Sequence, residues 1–310
     1  MSHRARLAAL AALAAGLLLA GAALGPAQAQ NFPENDPQHC SAIWKAVGIP
    51  KGSADARSTI VCHLGYVVGH NDEAKGPNWV IEHLTPDLTE GDATRESQQF
   101  SADDKLKPAA QAKPADYDGS GFDQGHNAPA ADFAGQQKFL DDTFFLSNAV
   151  PQVGIGFNRS IWRSLETQVR NLVGDNHQEL YVITGSIWQD DQPVDVDACS
   201  ASIKLPTVAP PAICPENHEH KKAACPAGVA VPSAMFKIVY DPAAQNAFAV
   251  LMQNINHTGK YKSGKGADYI QAHRVKVATI ENLTGLTFFT ALSERKRKQI
   301  RANCVDVRRH

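Results

Sequence analysis

The spacing of apolar and polar positions marks out the strands of this chain. Val61 to Val68 and Trp79 to Leu84 read as strands joined by a polar turn around Asn71 to Asn78. Leu180-Tyr181-Val182-Ile183-Thr184 is a β-rich run that reads as a buried strand. Ala234 to Tyr240 and Ala247 to Met252 are two more strands separated by a polar turn, and Ile270 to Ala278 reads as another. Helical spacing is clearest from Asn158 to Val173. There Ile161, Trp162, Leu165, Val169, Leu172 and Val173 share one face, and Arg159, Arg163, Glu166 and Arg170 fall on the adjacent flank. Lys138 to Phe145, Thr279 to Gly285 and the basic tail Glu294 to Arg309 read as further helices. Residues 30 to 58 look irregular, and 87 to 116 form a polar surface excursion containing Pro108 and Pro114. Residues 189 to 230 carry six prolines and three cysteines and read as a long stapled loop. Strands and helices outside strict βαβ order predict an α+β fold, a mainly antiparallel sheet flanked by helices.

The N-terminus changes the picture of where the chain works. Arg4 and Arg6 precede an Ala/Leu-rich apolar run, Leu7 to Leu24, and Ala27-Gln28-Ala29 supplies an A-x-A cleavage pattern. Residues 1–29 are therefore expected to be a signal peptide, with 30–310 forming one domain. No other apolar run approaches membrane-spanning length, so no stable membrane association is expected after cleavage, and the location is expected to be secreted or periplasmic. Loss of Arg4 and Arg6 leaves 28 basic against 32 acidic residues, a formal charge of −4. Any polyanion must then be bound by a local basic patch in a cleft. Cys40, Cys62, Cys199, Cys214, Cys225 and Cys304 form an even set that suits disulfides in an oxidising space. Cys40–Cys62 is the expected local staple, and Cys304 is expected to tie back to one of the other three. A metal site at Cys214, His218, His220 and Cys225 is the competing reading, but its spacing fits no standard zinc pattern.

The candidate chemistry lies in Phe122-Asp123-Gln124-Gly125-His126-Asn127-Ala128-Pro129 and the segments that follow it. His126 is the candidate general base, since a neutral imidazole accepts a proton at working pH. Asn158 is the candidate ligand for a hard divalent cation, which prefers oxygen and keeps several waters. On a straight helix Asn158 and Glu166 lie about 12 Å apart along the axis, so both cannot bind one ion. Glu166 is therefore assigned to hold a metal-bound water, and Arg170 to orient Glu166 or touch phosphate. The sequence around Arg95 does not distinguish it from a surface residue.

With Asp123, Gly125, His126 and Pro129, with Ser147, Asn148, Pro151 and Gln152, and with Asn158, Glu166 and Arg170, the chain resembles the DNA/RNA non-specific endonucleases. This is the ββα-metal or His-Me finger class, whose signatures are D-R-G-H-x-x-P, S-N-x-x-P-Q and N-x7-E-x3-R. The similarity extends from Gly65-Tyr66 to Met235-Phe236-Lys237. The resemblance implies a ββα-metal site and a Mg²⁺-dependent endonuclease, with Mn²⁺ as a substitute ion, that cuts DNA and RNA with little sequence preference and leaves 5′-phosphates. It implies general-base, metal-binding and water-positioning roles for His126, Asn158 and Glu166, and a phosphate-stabilising role for Arg95. Gln124, Asn148, Gln152, Arg159 and Arg163 are assigned to substrate contact. Gln124 stands where the signature most often has Arg, and an amide still hydrogen-bonds phosphate. A homodimer is compatible with the chain. Two rival readings stay open: a phosphodiesterase of the same superfamily acting on nucleotides or small diesters, and a non-catalytic secreted binding module.

Overall fold

A computed structural model describes residues 37–52, 58–176, 178–188, 195–199, 202–204, 212–213 and 228–304. Its centre is a seven-stranded antiparallel sheet. The strands are β1 (Ser58–Cys62), β2 (Tyr66–Asn71), β3 (Gly76–Leu84), β6 (Leu180–Ile187), β7 (Ala234–Asp241), β8 (Asn246–Gln253) and β9 (Arg274–Val275). They lie in the order β9-β8-β7-β6-β3-β2-β1. A separate two-stranded ribbon pairs β4 (Phe122–His126) with β5 (Ala149–Val153). The helices are α1 (Pro37–Trp44), α2 (Gln137–Asp142), α3 (Arg163–Asn176), α4 (Gly266–Ala272), α5 (Val277–Thr284) and α6 (Glu294–Ala302). This is the expected α+β architecture.

β3 and β6 are neighbours in the sheet, yet the chain runs from Thr85 to Glu179 between them. That whole crossover is what builds the site. Both faces of the central strands are covered, which explains why β6 and β7 are buried at every position. One face carries Trp79, Ile81, Ile183, Phe236, Ile238 and Leu251 against Cys40, Ile280, Phe288 and Ile300. The other carries Leu84, Val182, Met235, Val239 and Val250 against Ile161, Trp162, Leu165, Val169 and Val173. Those five are the apolar stripe read from the 3.6-residue period, and Leu172 sits partly buried at its edge.

Several expectations are corrected. Val61 to Val68 is two strands, because His63-Leu64-Gly65 turns the chain and β1 folds back on β2. Ile270 to Ala278 is not one strand. Ile270 lies in the last turn of α4, only Arg274–Val275 pairs with β8, and Val277 opens α5. A short apolar run of this kind suits either period, and packing decided it. Residues 30 to 58 are not irregular throughout: Cys40, Ile43 and Val47 are buried at i, i+3 and i+7, the spacing of α1 and its exit. Cys40–Cys62 forms as expected, and Cys304 pairs with Cys199. Cys214, His218, His220 and Cys225, like residues 1–29, lie outside the described residues.

Candidate active site

The ribbon explains why the motif segments occur together. In its register Asp123 faces Gln152, Gly125 faces Val150 and His126 faces Ala149. A Cβ at position 125 would collide with the Gln152 side chain, so glycine is required there. After β5 the chain turns through extended Ile155 and left-handed Gly156 (φ 86°) and winds through a wide helical turn into α3. Two strands and a helix thus converge on a cleft of about 680 Å³.

Asp123 ties strand to helix. Its Oδ2 accepts a hydrogen bond from Asn158 Nδ2 at 2.8 Å, and its carboxylate takes both Arg159 Nε and Arg159 Nη2. Burial raises the Asp123 pKa, but the hydrogen bonds from Arg159 and Asn158 prevail and hold it below the usual carboxylate value. With its amide nitrogen so used, Asn158 has its carbonyl oxygen left as a hard donor. Among the described residues no three His, Cys, Asp or Glu side chains cluster as a metal cage. One amide oxygen, with Glu166 lining the same cleft, fits a hydrated divalent cation better than a fully protein-ligated ion.

His126 is held by packing. Its ring lies 4.7 Å from Phe100 and edge-on to Phe144 at 5.0 Å, and its Nε2 is buried without a hydrogen-bond partner. Burial, and secondarily the Arg95 charge, lower its pKa to about 3, so the imidazole is in its proton-accepting form at neutral pH. Arg95 reaches the cleft from the polar excursion, its guanidinium 5.5 Å from the Phe144 ring centre. Gln137 on α2 clamps the preceding residue, accepting from Thr94 N and donating to Thr94 O, both at 2.9 Å.

Glu166, Arg163 and Arg170 line the cleft from α3, and Gln124 and Arg159 complete this set. Burial raises the Glu166 pKa to about 7. Arg170 pairs with buried Asp132 and also donates to Thr167 at 3.3 Å. Arg159 is spent partly on Asp123, though it stays 68% exposed.

Asn148 and Gln152, assigned to substrate contact from the sequence, sit behind the cleft and not on its lining. Both are fully buried and neither lines the cleft. Asn148 accepts from Ala128 N at 2.9 Å and donates to Ala128 O and Thr143 O. Gln152 packs on Gly125 and donates to His126 O at 3.4 Å. Their work is to fix the backbone on either side of His126. The tying role of Asp123 was not read from the sequence, although its place in the motif signalled it. Asp132, Glu82 and Lys237 carried no local signal.

A His, Asn, Glu and Arg set on a strand-strand-helix unit defines a metal-assisted phosphodiester hydrolase. The chain belongs to the DNA/RNA non-specific endonuclease family, whose model matches residues 46–295. It is 33% identical to Nuclease C1 of Cunninghamella echinulata var. echinulata over 232 residues, 73% of this chain and 81% of that one. It is 42% identical to mitochondrial Endonuclease G of Homo sapiens over 123 residues, 40% of this chain and 41% of that one. The EndoG/EndoGI complex contains a chain that superposes with a TM-score of 0.65 and 28% identity, covering 84% of this chain and 95% of that one. The protein is a nuclease hydrolysing phosphodiester bonds of DNA or RNA, and its family implies a divalent metal.

Proposed function

We propose that this protein is an exported, Mg²⁺-dependent endonuclease that cuts both DNA and RNA with little sequence preference and leaves 5′-phosphate ends. Residues 30–310 act as one nuclease domain after loss of 1–29. The observation that carries this reading is the convergence of His126, Asn158, Glu166, Arg95 and Arg170 on one cleft. Neutral His126 accepts a proton from the water that attacks phosphorus. Glu166 aligns solvent in the cleft. Arg95 and Arg163, at the exposed rim, neutralise phosphate charge before and during bond breaking. Asn158 Oδ1 would hold the cation, which when bound supplies charge neutralisation at the phosphate and leaving oxygens. Gln124 contacts phosphate without adding charge. Export is supported by the A-x-A pattern and by the two disulfides, which suit an oxidising space.

The test is incubation of purified protein with plasmid and with RNA, with and without EDTA. Both polymers should be degraded to 5′-phosphorylated fragments, EDTA should abolish cleavage, and Mg²⁺ should restore it. Cleavage of small diesters with polymers left intact would replace this reading by the phosphodiesterase one.

A further inference from the structure

Strand alternation places Met235, Lys237 and Val239 on the face of β7 that α3 covers, and Met235 and Val239 pack there against its apolar stripe. Lys237 is a cation where that pattern calls for a third apolar residue, and it is 1% exposed. Its Nζ donates to Thr184 Oγ1 at 2.5 Å and lies 5.7 Å from the Trp162 ring centre. Trp162 sits one helical turn before Glu166.

We propose that Lys237 is a positioning residue for the nuclease reaction, a buried cation beneath α3 that fixes the charge and placement of Glu166. The proposal rests on Glu166 acting in the cleft as described above. The groups around this point come from every packed element. β3 supplies Glu82, fully buried with neither carboxylate oxygen hydrogen-bonded. β6 supplies Thr184, and the turn after β4 supplies Asp132, bound to Arg170. α3 supplies Glu166, Arg170 and, from the rim, Arg163. Three carboxylates thus share the field of Lys237 and Arg170. Burial pushes Glu166 towards its neutral form, and Lys237 is the strongest influence opposing that, ahead of Arg170 and Arg163. A buried lysine is expensive, and the buried carboxylates whose charge it favours are what offset that cost. Lys237 also opposes the neutral form of Glu82 and Asp132, so the pH profile, and not the midpoint, reads what it does to Glu166.

The experiment is a double-mutant cycle of Lys237→Met and Glu166→Gln with Mg²⁺ present, reading kcat, KM, the pH profile and the thermal midpoint. Lys237→Met should lower the midpoint, since it leaves buried carboxylates without that cation, and in the folded protein lower kcat at pH 7 about tenfold with KM changed under about threefold and move the acid limb about one unit alkaline. In the Glu166→Gln background it should lower kcat no further. An equal kcat loss in both backgrounds, or an unmoved acid limb, overturns the proposal. If Lys237→Met does not fold, Lys237→Gln, which deletes the charge but keeps a donor for Thr184, is judged by the same criteria. Full activity of Glu166→Gln alone would instead overturn the reading of Glu166 on which the proposal stands.

Discussion

A side chain's burial decides what it can do in this cleft. His126 packs between two phenylalanines with its pKa lowered to about 3, so its own titration lies far below neutral pH. His126→Ala should lose at least about 10²-fold in kcat, with circular dichroism and thermal midpoint retained. Retained plasmid cleavage in the folded variant would remove it from the mechanism. Asp123 orients Asn158 and Arg159. Asp123→Ala should raise the Mg²⁺ concentration for half-maximal rate about 10–100-fold, measured by titration. Glu166 adds a stability signature. Its pKa is near 7 in the fold, raised by burial from 4.5. The folded state therefore holds a proton that the unfolded chain releases, and the stability tied to it is present below about pH 4.5 and lost as pH rises towards 7. Glu166→Gln should flatten that decline, gaining on the order of 1–3 kcal/mol relative to the parent between pH 5 and 8 in urea unfolding.

Among the elements, the polar excursion has little secondary structure of its own and is held by side chains. Asp103 accepts from Ser147 Oγ at 2.5 Å and bonds His63 Nε2 at 3.0 Å, with all three side chains buried. This joins the β1–β2 turn, the excursion and the segment before β5. Asp103→Ala should leave His63 and Ser147 buried without that partner and destabilise by about 1–3 kcal/mol. It should also loosen the segment that carries Arg95 and Phe100. Hydrogen exchange across residues 94–106 in the folded variant checks this, and unchanged protection there would mean that Gln137, the Ser101 backbone bonds and Lys105 hold the segment without Asp103.

At the scale of the molecule, Cys199–Cys304 closes a 105-residue separation and ties the residues after α6 to the strand region near β9. Replacing that pair with serine should cost about 2–5 kcal/mol by urea titration, with specific activity kept in the folded fraction. The sequence by itself determined the chemistry that is local. Glu166 and Arg170 lie on α3, where the 3.6-residue period fixes their relative placement whatever surrounds them, and Asn158 lies on the wider helical turn that leads into it. Asp123 to His126 lies on one strand, and glycine at 125 is readable as a close approach before its partner is known. The strong periodic runs also fixed β6, β7, β8 and α3. Tertiary structure decided everything that depends on which strands are neighbours. It brought Arg95 to His126 from across the excursion, turned Asn148 and Gln152 inward, joined Cys304 to Cys199, and set Lys237 beneath α3. No local propensity encodes those contacts, because each is made by residues far apart in sequence and depends on the crossover between β3 and β6 and on the order of the strands.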